Sequence, residues 1–283
     1  MVDEARLIVS AMMSRPHNRA LAYGNGVRSV WEHRQVLRML VLRDLQRKYS
    51  NFRLGYLWSL LEPLGMSMVL WFVFSVLLGA RQLGQQPYFL FLALAILPWW
   101  WFTKGITAAT KVFRRDTIGL RMSLLPTRLW VLRVTLASMI EFLMSLPVIV
   151  IAMVATGTPP GPLCILFPVG IVLQFLLMYG IGLLVSSIAS VFPDLERMIR
   201  ILLRTAFYLS PVLYSIANIP ERVQSLAAMN PLVGIFGLYR IGFWPNETEA
   251  FRLFLISLIS GIVICAVGAI TFHRLEGRIL KEA

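Results

Sequence analysis

Charged residues are scarce in this sequence. They make up 14% of the 283 residues, whereas a soluble domain carries about 25%. Hydrophobic residues reach 58%, and the mean hydropathy is +0.72. Such a chain has too few polar groups to cover the surface of a soluble globule. It also lacks the low hydrophobicity and high charge of a disordered chain. The composition therefore excludes a soluble globule and a disordered chain, and it indicates an integral membrane protein.

Histidine and intramembrane carboxylates are also few. The three histidines, His17, His33 and His273, all lie outside the long apolar runs. Zinc sites and acyl-transfer enzymes rely on imidazole, so this scarcity argues against an intramembrane metalloenzyme or a Ser-His hydrolase. Glu62 and Glu141 are the main carboxylates within the apolar runs. They are too few for the relay that an ion-coupled carrier uses.

Several sequence signals are missing altogether. The two cysteines, Cys164 and Cys265, lie in apolar stretches and offer neither a disulfide framework nor the spacing of metal ligands. No Walker A sequence occurs, so we expect the chain not to hydrolyse ATP through a P-loop. The N-terminal region has no short apolar run followed by a small-residue cleavage site, and we expect no cleaved signal peptide. ATP-driven work would then depend on a partner.

Long apolar runs are abundant instead. About 20 residues, each rising about 1.5 Å, cross about 30 Å of hydrocarbon as a helix, and these runs are too long and too uniform for barrel strands. We place six spans at about Leu54–Leu78, Pro87–Val112, Leu129–Ala155, Leu163–Val191, Ile199–Leu213 and Leu253–Phe272. Val223–Tyr239 is also charge-free but is divided by Asn230-Pro231. It predicts one or two short re-entrant helices, with a seventh span as the alternative.

The basic residues are unevenly distributed. Lys and Arg number 27 against 14 Asp and Glu, a net charge of +13, which in a soluble protein would suggest nucleic acid as a partner. Here 23 of the 27 lie in four alternate segments: residues 1–53, 104–133 and 197–204, and the C-terminal tail. Because cytoplasmic loops collect Lys and Arg, we expect both termini in the cytoplasm and no nucleic-acid partner.

These patterns predict the domain organisation. The fold class is an all-α integral membrane protein with six transmembrane helices, an N-terminal amphipathic interface helix, and short re-entrant helices before the last span. A cytoplasmic segment over residues 1–53 precedes a six-span domain over 54–273 and a cytoplasmic tail over 274–283. Between the spans we expect a cytoplasmic loop at about 111–128 and the re-entrant region at about 215–245.

The interface helix is predicted from the arrangement of its side chains. In a helix over Val41–Tyr49, the apolar residues Val41, Leu42, Leu45 and Tyr49 share one face, and the charged residues lie on the other. Such a helix lies at the cytoplasmic membrane surface. Attraction to anionic lipid headgroups is a sufficient role for it.

Ordered motifs along the chain carry a family resemblance. The basic segment LRDLQRKY (42–49) leads into LGYLWSLLEP (54–63), and LPWWWF (97–102), FPDL (192–195), SPVLY (210–214) and NPL (230–232) follow. This ordered set resembles the polysaccharide-export permeases of ABC transporters, which have the type-2 exporter fold. It is most similar to group 2 capsular-polysaccharide exporters, and O-antigen and teichoic-acid exporters are relatives.

The resemblance implies a function and partners. It implies a permease subunit, not an enzyme, that moves capsular or related polysaccharide across the bacterial inner membrane. Two copies would pair, and two separate P-loop ATPase subunits, which bind ATP and Mg, would dock from the cytoplasm. The chain itself would hold no cofactor, and periplasmic and outer-membrane export proteins are further partners left open. The alternatives are an ABC permease for a smaller lipid or drug substrate, and a membrane-embedded glycosyl- or acyltransferase.

The loop after the second span is the predicted coupling element. Its apolar residues Phe113, Ile118 and Leu120 are interleaved with charged ones, whereas a solvated loop needs no apolar side chains. An apolar ridge rimmed by charge is typical of a docking element, and the alternative is a loop that is basic only because of topology. By resemblance, this loop is the coupling helix seated in the ATPase, and the interface helix touches the ATPase too. The coupling residues are Phe113, Arg114, Arg115, Asp116, Ile118, Leu120, Arg43 and Arg47.

Aromatic residues, 12% of the chain, are candidates for the substrate channel. Sugar rings present C–H faces that stack on aromatic planes, so Trp58, Tyr208 and Tyr214 are predicted channel residues. Packing or an interfacial belt is the alternative for each. We expect Glu62 to pair with a nearby arginine, such as Arg53, or to reach water close to the interface.

Overall fold

The computed structural model describes residues 27–49, 55–79, 84–117, 120, 125–245 and 250–282. Within these ranges every regular element is a helix, which confirms the predicted all-α class. The helices are α1 (Val27–Glu32), α2 (Arg34–Tyr49), α3 (Trp58–Trp71, continued by a π-helical turn over Phe72–Leu77), α4 (Tyr88–Arg115), α5 (Thr127–Ser145), α6 (Pro147–Thr156), α7 (Phe167–Val191), α8 (Leu195–Leu209), α9 (Glu221–Ala228), α10 (Pro231–Arg240) and α11 (Ala250–Glu282). Short 3-10 turns at Gly55–Leu57, Pro162–Leu166 and Ile216–Asn218 connect them.

Five helical segments of the described chain are long and apolar enough to cross a membrane. They are Trp58–Leu77, Tyr88–Arg115, Thr127–Thr156, Pro162–Val191 and Arg252–Ile279. These agree with five of the six predicted spans. The third combines α5 and α6, which ends at Gly157 with a positive φ of 63°. Glycine tolerates this left-handed conformation at a helix C-terminus, and here it ends the third span.

The predicted span Ile199–Leu213 is not one of these five segments. Its helix, α8, has only 15 residues, or about 22 Å, and a turn over residues 210–213 follows it. Contacts place this part of the chain antiparallel to α4. Glu196 pairs with Lys111 near the end of α4, and the carbonyl of Leu213 accepts a hydrogen bond of 2.8 Å from the Tyr88 hydroxyl at its beginning.

Helix α8 and the turn after it together extend from the level of Lys111 to that of Tyr88. These two residues are about 35 Å apart along α4. We call the end of the bundle at Lys111 and Glu196 the basic end, and the end at Tyr88 and Leu213 the opposite end.

Helix α4 lies at the centre of the bundle and α3 at its edge. In the most apolar 18-residue stretch of each, 78% of the residues of α4 are buried but only 11% of those of α3. Leu90–Leu97 is apolar on every side and almost fully enclosed, as expected for a helix without a polar face. A buried chain of hydrogen bonds, from the Tyr239 hydroxyl to Gln174 and from Gln174 to the Pro98 carbonyl, joins α10, α7 and α4.

Helices α7 and α11 pack through glycines. A Cβ atom on Gly180 would lie 2.6 Å from the Cα of Cys265, and one on Gly268 would lie 2.2 Å from the carbonyl oxygen of Gly180. Small residues allow this close approach of helix backbones in membranes.

Helix α2 packs lengthwise on the first half of α5. Its buried residues are Leu37, Val41, Leu45 and Tyr49, and they form a cluster with Leu129, Leu132 and Ala137 of α5. Leu42, predicted to share this apolar face, is 45% exposed and lies outside the cluster with α5. The buried residues of α2 that contact α5 recur at every fourth position from Leu37, and Leu42 is not at one of these positions.

Two short helices occupy the predicted re-entrant region. Helices α9 and α10 have 8 and 10 residues and meet at Asn230-Pro231. The Asn230 side chain caps α10 by accepting a hydrogen bond of 3.0 Å from the Leu232 amide. Neither helix is long enough to cross a bilayer.

Candidate functional site

A buried arginine joins three elements at the basic end. Arg133 of α5 is 3% exposed. Its Nε lies 2.9 Å from Oδ2 of Asp44 on α2, and its Nη2 pairs with Oδ2 of Asp116, which follows α4. The guanidinium carbon lies 4.8 Å from the centroid of the Trp130 ring. We call Asp44, Arg133 and Asp116 the Arg133 junction.

Local structure places the two carboxylates of this junction. Asp44 lies next to the buried residue Leu45 and one turn after the buried residue Val41, so the packing of α2 on α5 brings it to Arg133. Asp116 ends α4, and its carbonyl accepts a hydrogen bond of 2.8 Å from the Leu120 amide. Burial raises the pKa of the Asp44 carboxyl, and the nearby Arg133 charge opposes that shift. A buried charge is tolerated only when paired, and Arg133 has two partners.

Two further ion pairs involve the carboxylates predicted within the spans. Glu141 accepts a hydrogen bond of 2.6 Å from Lys48 of α2, and Glu62 accepts one of 2.9 Å from Lys104 of α4. Arg53, the predicted partner of Glu62, lies outside the described residues. The Lys104 ammonium also lies 4.9 Å from the centroid of the Trp100 ring. Pairing of this kind is how ionisable residues are accommodated in spans.

A cavity of about 390 Å³ lies between α2, α4 and α5. It follows α4 from Arg115 to Lys104, which is about 16 Å of helix. Its charged lining residues are Asp44, Arg47, Lys48, Lys104, Arg115, Asp116, Arg133 and Glu141. The basic end therefore contains a polar cleft whose wall includes the whole Arg133 junction.

The structure divides the predicted coupling residues into two groups. Arg114, Arg115, Arg43 and Arg47 are exposed at the basic end. Phe113 and Leu120 are instead buried in a cluster with Trp130, Phe272 and Ile279, so they form no exposed apolar ridge. The reason is that α11 extends to the basic end, where Phe272 packs against Phe113 with ring centroids 6.0 Å apart. Ile118 lies outside the described residues.

Glu196 at the start of α8 connects α8 to α4, and the sequence did not indicate this contact. It lies 3.1 Å from Lys111 and 2.5 Å from Arg114, both on α4, and it pairs with Arg200 one turn further along α8. The sequence did offer a signal for Arg133, which is a charged residue in a predicted span. Its partners Asp44 and Asp116 could not be identified without the fold.

Exposed aromatic side chains mark the outer faces of α3 and α8. Trp58 is 47% exposed and Tyr208 is 69% exposed, while Tyr214 is half-buried and its hydroxyl donates a hydrogen bond of 3.1 Å to the Tyr208 carbonyl. Trp58 is closer to the basic end, one turn before Glu62. The structure therefore brings together the two predicted tyrosines but places Trp58 at another level of the bundle.

The described residues contain no group of three His, Cys, Asp or Glu side chains that could hold a metal ion. The charged clusters of the basic end are instead pairs of opposite sign. Such pairs are suited to holding helices together.

Comparisons with known proteins identify the family. Residues 35–244 match the family described as ABC-2 type transporter. The O-antigen export system permease protein RfbA of Klebsiella pneumoniae is 28% identical over 245 residues, covering 86% of this chain and 93% of the relative. The polysialic acid transport protein KpsM of Escherichia coli is 25% identical over 223 residues, covering 73% and 80%.

A third relative belongs to the same group. The capsule polysaccharide export inner-membrane protein CtrC of Neisseria meningitidis serogroup B is 26% identical over 237 residues, covering 79% of this chain and 86% of the relative. These matches confirm the resemblance predicted from the ordered motifs. The family match covers more than half of the chain, and the protein is a membrane transporter subunit rather than an enzyme. The chain therefore belongs to the ABC-2 type transporter family.

Proposed function

We propose that this protein is the permease subunit of an ABC exporter that moves a cell-surface polysaccharide across the bacterial inner membrane. The observation that carries this proposal is the similarity to polysaccharide-export permeases over 86% of the chain. The similarity extends through the spans and the short helices before α11, so it is not limited to one motif.

The outer face of α8 supports a hydrated path for the substrate. None of the residues of α8 is buried. Arg197, Arg204 and Tyr208 share its exposed side, because they are separated by seven and four residues. Arginine side chains facing lipid are costly, and in membrane proteins they face a protein interior or water. A second copy of the chain, set against α3 and α8, would enclose this face as a channel between the two copies.

The charge distribution supports the orientation. The basic end carries most of the Lys and Arg residues, so the positive-inside rule assigns it to the cytoplasm. The five long segments, together with residues 195–213, then cross six times, and both termini are cytoplasmic. Residues 195–213 cross as a helix followed by a turn.

In this proposal, a partner subunit hydrolyses ATP. A separate P-loop ATPase subunit, binding ATP and Mg, docks at the basic end, where Arg43, Arg47, Arg114 and Arg115 are exposed. Phe113 and Leu120 contribute by fixing the docking surface from within, because they are buried.

Two substrate classes fit the relatives. O-antigen export permeases match at 28–29% identity over 86–88% of the chain, and capsule export proteins match at 23–26% over 73–85%. The higher identity and coverage favour an O-antigen-type chain, and a capsular polysaccharide is the second candidate. A smaller lipid or drug substrate is the remaining alternative within the ABC permeases.

Deletion of the gene in the source bacterium tests the proposal. We expect surface polysaccharide to be lost and the glycan to accumulate in the cytoplasm, as measured by immunoblotting of surface and intracellular fractions. Wild-type permease should restore display, but not in cells whose partner ATPase has lost its Walker A lysine. Unchanged surface polysaccharide, accompanied by sensitivity to a drug, would contradict glycan export and support the smaller-substrate alternative.

A further inference from the structure

The Arg133 junction connects the two elements that reach the proposed ATPase-docking surface. Among the ion pairs of the described residues, Arg133 is the only side chain that contacts carboxylates of both α2 and the segment after α4. The pair Lys48–Glu141 connects α2 only to α5. The pair Lys104–Glu62 connects α4 only to α3.

We propose that Arg133 is a positioning residue that locks α2 to the segment after α4, so that a displacement of either is passed to the other. This inference rests on the proposed function, since it assigns both elements to the response to one ATPase. Arg133 itself touches neither substrate nor nucleotide. Its role is to make two docking elements respond as one rigid unit.

The chemistry of arginine suits this role. The planar guanidinium offers donors in a fixed fork and can serve two carboxylates at once, whereas the lysine ammonium is a compact point charge. Arg133 is 3% exposed, while the Lys48 side chain is 47% exposed. Exposed pairs are weakened by salt and buried ones much less. The Trp130 ring under the guanidinium restricts it further.

A distance measurement tests the junction directly. The full-length chain, with Cys164 and Cys265 changed to alanine, receives spin labels at Gln46→Cys on α2 and Thr117→Cys after α4, and is studied with its ATPase partner in lipid nanodiscs. We expect one narrow distance distribution for the parent and a broad or shifted one for Arg133→Gln. Arg133→Lys should fall between the two. Lys104→Gln, which changes another basic residue of the same cavity, should retain the narrow distribution.

A second variant separates positioning from folding. Arg133→Gln leaves two partly buried carboxylates without the Arg133 charge, which can impair folding by itself. The combined change Asp44→Asn, Asp116→Asn and Arg133→Met removes every charge of the junction while nearly preserving its volume. We expect this variant to insert in wild-type amounts and still give a broad distance distribution. A narrow distribution in the combined variant would overturn the proposal.

Transport provides the other readout. With the combined variant in the assembled exporter, we expect ATP turnover to persist while the glycan exported per ATP falls several-fold. Export per ATP that equals wild type despite a broadened distance would overturn the coupling role. The distance measurement requires no transport, so its result does not depend on the substrate. Failure of the wild-type exporter to move glycan would instead contradict the proposed function.

Discussion

Arg240 is the second deeply buried arginine of the described chain, and it holds the segment after α8. Its Nη1 donates a hydrogen bond of 2.9 Å to the Pro211 carbonyl, and its Nη2 donates one of 3.1 Å to the Val212 carbonyl. Its guanidinium carbon also lies 3.5 Å from the centroid of the Phe91 ring. Backbone that leaves the helix at membrane depth must be satisfied by protein groups, and Arg240 meets this requirement at two successive carbonyls.

We expect Arg240→Gln to destabilise the fold, because the amide cannot replace both hydrogen bonds and the stacked charge. Hydrogen bonds to charged groups contribute about 1.5–3 kcal/mol each, so the free energy of unfolding should fall by at least about 2 kcal/mol. Thermal unfolding of the purified protein in detergent measures this. Arg222→Gln, at an exposed position of α9, is the control and should leave the midpoint unchanged. Equal midpoints for the two variants would contradict this assignment.

Substitutions of Tyr208 test whether the exposed face of α8 is part of the substrate channel. Its ring is exposed, and only the carbonyl of Tyr208 is engaged by Tyr214, so removal of the ring leaves that hydrogen bond intact. We expect Tyr208→Ala to reduce surface polysaccharide at an unchanged amount of permease, because a stacking plane for sugar rings is lost. Tyr208→Phe retains the plane and should export normally, as measured by quantitative immunoblotting. If alanine and phenylalanine export equally well, the ring has no part in transport.

Among the elements, α7 and α11 make a close helix contact through glycine. We expect Gly268→Ala to destabilise the protein, because the new Cβ would lie 2.2 Å from the carbonyl oxygen of Gly180. Overpacking of this kind costs about 1–3 kcal/mol. Gly261→Ala on the same helix is the matched control, since an added Cβ there meets nothing within 4 Å. The yield of monodisperse protein after extraction reports the difference, and similar yields would exclude a tight α7–α11 contact.

The sequence predicted elements well where one long apolar run forms one helix. Five spans were located this way, since about 20 apolar residues are sufficient to identify a helix that crosses a bilayer. The segment at Ile199–Leu213 differs because an apolar pattern does not distinguish α8 from the turn that follows it. Which carbonyls Arg240 and Tyr88 satisfy follows only from the packing of α10 and α4.

The candidate site was predictable by region but not by contact. Exposure of Arg114 and Arg115 follows from the charge pattern, whereas burial of Phe113 depends on Phe272 of α11, more than 150 residues later in the chain. For the same reason the partner of Glu62 in the structure is Lys104 of another span, rather than a neighbour in sequence. Pairings between distant segments require the fold.

On the scale of the whole molecule, the charge asymmetry predicts which end is cytoplasmic. Single cysteines at Thr117 and Gly277 should react with an impermeant thiol reagent only after the inner membrane is opened. One at Thr158 should react in intact cells whose outer membrane is permeable to the reagent. The reason is the concentration of Lys and Arg at the basic end. Labelling of Thr158 only from the cytoplasm would overturn the assigned orientation.

The basic end should also bind the ATPase through charge. We expect Arg115→Glu to reduce recovery of the ATPase subunit with the tagged permease by about tenfold, which corresponds to about 1.4 kcal/mol of binding free energy. The reversal places a carboxylate on the docking surface. Arg222→Glu is the matched control on α9, outside that surface, and should copurify normally. Equal recovery of the ATPase with both variants would place its docking surface elsewhere.

The lengthwise packing of α2 on α5 has a consequence for biosynthesis. Lys48 and Glu141 are 93 residues apart, and a ribosome adds about 5–20 residues per second, so α2 is complete about 5–20 s before Glu141 is made. During that interval α5 is not there to cover the seam formed by Leu37, Val41, Leu45 and Tyr49. The bilayer surface is the apolar phase within reach of such a helix. The apolar seam of α2 thus predicts an assembly intermediate at the membrane surface, before the helix becomes part of the finished protein.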